Sequence, residues 1–208
     1  MTASNNLTDS LLEMYQVEYP GFKVIDKESS PLMRFLGIIL GIFSKRWMDS
    51  VSMSLLNTIY LSKNARDSTS LPLILIHEMC HFVERKNVGS WRFYLRYIFP
   101  PFGKSWYRAM IECRAYAIQL VSKEKYGYLD NEVTLVRMAK TVSGPIYLWP
   151  IEEKAAYHFI LTMARAAKPS RGCLLDYGSS LTPVWYLEFS RKTLKVVGDV
   201  YDRQLADK

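Results

Sequence analysis

The chain is poor in the features that would declare a specialised architecture. It holds only three cysteines, Cys80, Cys113 and Cys173; so odd and sparse a set builds no disulfide framework and fits a reducing compartment. No Gly/Ser/Pro-rich linker, internal repeat or low-complexity tract interrupts it, which excludes solenoids and tandem arrays. Its most apolar run, Phe35 to Phe43 (FLGIILGIF), is far short of the roughly 20 residues that a spanning helix needs. We read that run as a buried core helix rather than an interfacial anchor. The opening MTASNNLTDSLLEMYQ lacks a basic region followed by an apolar one, so no secretory signal is expected. No phosphate-cradling glycine loop, nucleophile elbow or CxxC pair is present. The expectation is a cytoplasmic protein with no membrane span.

What is there fits one globular domain over 1–208, with a core at about 50–126 and a helical C-terminal part at about 131–208. Hydrophobic residues make up 49% and charged residues 23%, ordinary values for a packed domain. Apolar periodicity predicts helices over 6–16, from Pro31 to about Phe43, from about Leu71 to Lys86, and over 90–99. Further helices are predicted over 105–125, 131–142 and 151–167. Pro20-Gly21 marks a turn, followed by a short strand from Phe22 to Ile25. Thr58-Ile59-Tyr60-Leu61 is β-prone and is read as a second strand. Residues 64–70 read as a polar loop. Val184 to Phe189 has strand character, and 191–205 reads as helix. The sum is an α+β fold, predominantly helical with a small sheet.

The formal charge of +7 is unevenly spread: nine basic residues lie between Arg85 and Lys125, against Glu112 and Glu124 alone. Trp91, Phe93, Tyr94, Tyr97, Trp106 and Tyr107 are interleaved with them. Such an arm could line a groove for nucleic acid. The favoured reading is a solvated helix face whose aromatics pack inward.

Histidine is the scarcest informative residue. There are three, and two of them fall in His77-Glu78-Met79-Cys80-His81. On a helix, residues four apart project from one face a turn apart. The two imidazoles can therefore take two corners of a zinc tetrahedron. Glu78 lies about 100° round the helix, placed to accept a proton from a zinc-activated water without ligating the metal. A catalytic zinc normally has a third protein ligand. The extended pattern that continues with Gly and a third His is absent, because Glu84 and Asn87 stand there. Glu112 is the best candidate: its helix is apolar around it, and a buried carboxylate needs a counter-charge. The competing reading pairs Glu112 with Arg108 or Arg114. Cys80 and Cys113 point away from these positions and read as small core residues.

HEMCH followed by Glu112-Cys113-Arg114-Ala115-Tyr116-Ala117 resembles the gluzincin metallopeptidases, and the segment between them is similar to small bacterial and phage metallopeptidases. The likeness spans roughly residues 70–120. It implies a minimal zincin-like domain with a small sheet packed on the HExxH helix. It also implies His77, His81 and Glu112 as Zn2+ ligands, Glu78 as general base, and hydrolysis of a peptide or protein substrate. The strand near 58–61 would then edge the cleft and align an extended substrate. Tyr116, Tyr157 and His158 are candidate donors to the transition state, although His158, among Phe159, Ile160 and Leu161, reads better as a core or surface histidine. Tyr116 stands where the thermolysin-like pattern has an Asp, which leaves the carboxylate that would orient His77 unassigned. The alternative is a peptidase-fold protein that works by binding, as a regulator or a phage or mobile-element component, or that acts on nucleic-acid-bound proteins.

Overall fold

The computed structural model describes residues 3–41, 47–98, 106–125, 131–144, 151–168 and 182–206. Pro100 to Gly103, Gly127 and Cys173 lie outside them. Two compact units emerge, Met1–Phe82 and Val83–Lys208, and the division falls inside one continuous helix.

In the first unit, α1 (Ala3–Glu18) buries Leu7, Leu11 and Tyr15, one turn apart on one face. Gly21 turns the chain with φ +85°, a conformation that costs an L side chain energy but not glycine. Strand β1 (Lys23–Asp26) leads through a 3-10 turn (Lys27–Ser29) into α2 (Pro31–Gly41) and α3 (Trp47–Ser50). A hairpin follows, β2 (Met53–Leu55) and β3 (Thr58–Leu61). At its tip Leu56 has φ +51° and is largely exposed. The sheet order is β1-β3-β2, with Val24 facing Ile59 in the parallel pair and Ser54 facing Ile59 in the antiparallel one. β3 is therefore central, not an edge. Its backbone is paired on both sides, so it has no free ladder to offer an extended substrate, and that expectation is corrected.

Two other expectations in this unit change. The polar stretch read as a loop opens with α4 (Lys63–Arg66), a single turn capped by Ser62, whose hydroxyl accepts from the Ala65 amide at 3.3 Å. The apolar helix α2 is not a core helix. Among its described side chains only Met33 is fully buried, while Leu32, Phe35, Ile38 and Ile39 are exposed.

Helix α5 (Leu71–Val88) carries the HEMCH segment just before the division, which it then crosses. Every residue from Leu75 to Arg85 is buried, so the helix is enclosed around its whole circumference rather than along one stripe.

The second unit is helical: α6 (Ser90–Ile98), α7 (Trp106–Lys125), α8 (Asn131–Val142), α9 (Glu153–Ala167) and α10 (Val184–Ala206). α7 is its axis, packing against α6, α8, α9 and α10. The strand expected over Val184 to Phe189 is instead the first turns of α10. Tyr186, Phe189, Thr193 and Val197 are buried at spacings of three and four, which only a helix satisfies. The whole is predominantly helical α+β with a three-stranded mixed sheet. Among the described residues no helix is long and apolar enough to cross a membrane.

Candidate metal centre

The HEMCH segment is held by its neighbours in sequence. Phe82, next after His81, meets Tyr19 and Phe22 edge-on with ring centroids 5.3 and 5.5 Å apart. Phe22 in turn meets Tyr15 edge-on. This cluster anchors α5 where the second histidine leaves it.

His77 and His81 turn their Nε2 atoms toward each other, 3.1 Å apart, with ring planes at 87°. Two nitrogens bonded tetrahedrally to one zinc at about 2.0–2.1 Å would stand about 3.3 Å apart. The observed pair is close to that spacing before any ion is considered. The Glu112 carboxylate completes the group, and the three ligand atoms all lie within 4.8 Å of one another. All three side chains are buried, Glu112 to 1% exposure. Two neutral imidazoles and one carboxylate are a borderline-soft donor set that suits zinc, so the residues fit the metal that the motif implies.

Glu112 is also tied from α6. The Tyr97 hydroxyl donates to Glu112 Oε1. The Tyr97 ring is stacked on Phe93, with planes 8° apart, and carries the Arg108 guanidinium 4.9 Å from its centroid. A ring held by both of these contacts has little freedom, so it fixes the carboxylate it holds.

Arg114, a candidate partner of Glu112 in the sequence, is engaged elsewhere. Its Nη1 donates to Glu84 Oε1 at 2.7 Å in an ion pair exposed by only 4% and 1%. Its guanidinium also lies 5.9 Å from the Trp185 ring centroid, and Tyr186 donates to its carbonyl at 3.3 Å. Glu84 is one turn beyond His81 and Arg114 is two residues beyond Glu112, so this pair clamps α5 to α7 beside the candidate ligands. Burial and the nearby Glu84 charge push the Tyr107 phenol up to about 12.

Lys27 is a residue that the sequence did not single out. It is fully buried, and its Nζ donates to the Val51 carbonyl at 2.7 Å. Desolvation brings its ammonium down to about 8, opposed by the charge of Glu78. A buried cation is thus electrostatically coupled to the expected base. No motif marks it: a lone lysine after a strand reads as surface.

The remaining expected residues are placed as follows. Tyr116 is half-buried on α7, one turn past Glu112. Tyr157 is half-buried and His158 exposed on α9, their rings edge-on at 5.6 Å; His158 is a surface histidine. Cys80 and Cys113 form no disulfide and are buried, as expected of core residues, and burial pushes the Cys113 thiol up to about 12. The basic aromatic arm is mixed rather than solvated. Phe93, Arg85 and Arg114 are buried, with Arg85 donating to Ser90 Oγ at 2.7 Å, whereas Trp91, Arg92 and Arg96 face solvent.

No family model, curated protein or solved structure matches this chain.

Proposed function

We propose that the chain is a zinc-dependent peptidase in which His77, His81 and Glu112 hold the metal and Glu78 is the general base. The observation that carries this reading is the convergence of the two Nε2 atoms, 3.1 Å apart, with a buried carboxylate in reach. When bound, zinc supplies a Lewis acid that polarises the scissile carbonyl and acidifies water. Glu78 follows the first ligand on α5 and takes the proton of the attacking water, then returns it to the leaving amine. Lys27 places a positive charge near that carboxylate and favours its ionised form. Tyr97 keeps Glu112 in one orientation. Tyr116, a turn from Glu112, is the best-placed of the candidate donors to the developing oxyanion.

Metal analysis and peptide turnover on the full chain test this together. The wild type and Glu78→Gln should each hold about one zinc, while only the wild type cleaves an unstructured polypeptide. Glu112→Ala should lose the metal, and Tyr97→Phe should bind it about tenfold more weakly. Wild-type protein that takes up no zinc, or Glu78→Gln that turns over like wild type, would defeat the proposal.

A further inference from the structure

The most apolar segment of the chain is also among its most exposed. On α2, Leu32 is 45%, Phe35 60%, Ile38 74% and Ile39 42% exposed. At 100° per residue these four fall on one arc about 120° wide. The helix cannot roll to hide them. Met33, on the opposite side, is fully buried, and Gly37 sits so close to α3 that a Cβ there would meet the Met48 sulfur at 2.8 Å. One face is locked onto the protein and the other is apolar and open.

Three observations say what covers it. The first is charge. Between Glu28 and Asp49 the sequence contains no acidic residue but three basic ones, Arg34, Lys45 and Arg46. Arg34 is exposed and borders the apolar arc, where its stem can lie along the surface with the guanidinium in water. The whole chain carries +7. The second is length: the 11 residues of α2 are about half of what a spanning helix needs, but ample for a helix lying in an interface. The third is area. Four partly exposed side chains offer a few hundred Å², short of the about 800 Å² per partner that a stable protein interface buries.

We infer that α2 is a peripheral membrane anchor, which lays Leu32, Phe35, Ile38 and Ile39 into the headgroup–acyl boundary of an anionic lipid surface. The apolar face supplies the insertion, and Arg34 at its border, within a stretch of sequence that holds no acidic residue, supplies the attraction to lipid phosphates. Neither element needs the metal reading, and the anchor stands if that reading falls.

Flotation of the full chain with vesicles tests it, comparing phosphatidylcholine alone with a mixture containing about a quarter phosphatidylglycerol. Binding should favour the anionic vesicles and weaken as salt is raised. Phe35→Ser with Ile38→Ser should reduce it by about tenfold or more. Arg34→Glu leaves the apolar arc intact and should still reduce it severalfold, by about fivefold for each basic charge removed. Because these side chains are on the surface, unchanged circular dichroism should accompany the loss. No binding to either vesicle overturns the inference, as does equal binding to both. Self-association that disappears with Ile38→Ser, in protein that ignores vesicles, would assign the face to a second copy instead.

Discussion

Helices α5 and α2 divide polar and apolar residues in the opposite way to simple expectation. α5 buries His77, Glu78, His81, Glu84 and Arg85, while α2, with Arg34 as its one charged residue, exposes four large apolar side chains. Burying each of those four would contribute about 1.5–3 kcal/mol. Enclosing unpartnered charges would cost more than that gain. The difference lies in partners. Glu84 has Arg114, Arg85 has Ser90, the two imidazoles share their Nε2 contact, and Glu78 is coupled to Lys27. α5 is buried because neighbouring elements satisfy it, and a satisfied polar helix of this kind is what a metal site requires. Among the described residues α2 has nothing comparable on its outer side.

That contrast can be broken most sharply at the Glu84–Arg114 pair. Glu84→Ala leaves the Arg114 guanidinium buried without its carboxylate and should destabilise the protein by about 3–5 kcal/mol in urea denaturation. Replacing both by Met should recover most of the loss. A single-variant loss below about 1 kcal/mol would mean that the pair is effectively solvated and that α5 is not enclosed.

Next in size is Lys27. Its folded-state value of about 8 lies below the ordinary 10.5, so the unfolded chain binds the proton more tightly. The stability gained by releasing that proton is fully present above pH 10.5 and is lost as pH falls to about 8. Stability should therefore climb between pH 8 and 10.5 by up to about 3 kcal/mol, and Lys27→Met should flatten that climb. An unchanged slope in Lys27→Met would show that the ammonium is hydrated in the folded protein.

The smallest effect is on the other side of the comparison. Ile38→Ser on α2 should shift the folding midpoint by no more than about 0.5 kcal/mol, because the side chain gives up no packing. A loss of several kcal/mol would mean that the α2 face is covered within the protein itself.

Much of this was legible in the chain, and unevenly so. β3 begins and ends where its run of Thr58-Ile59-Tyr60-Leu61 does, and α5, α6 and α8 lie within two residues of their periodic patterns. The start of α10 was hidden because aromatic and β-branched residues crowd Val184 to Phe189, and because Ser190 and Thr193 share its buried face, blurring the apolar period. β2 is too short, and α4 a single turn, to carry a period at all. At the candidate site, the pairing of His77 with His81 is legible from their spacing, and Glu112, which lies near them, from its apolar setting. Tyr97 and Lys27 were not, since each acts through a contact made far along the chain. Arg114, near Glu112 in sequence, enters there only as a competing partner for it, and the fold gives it to Glu84, 30 residues away.

Two thiols beside the candidate ligands have an experimental use of their own. Cys80 precedes His81 and Cys113 follows Glu112, and both thiols are fully enclosed. Thiolate is the reactive form, and at neutral pH the Cys113 thiol, pushed up to about 12, supplies almost none, while Cys80 is shielded by its burial. Alkylating reagents therefore meet these sulfurs only when the helix carrying them opens. The rate at which each is labelled is a clock for local unfolding, with one hand on α5 and the other on α7.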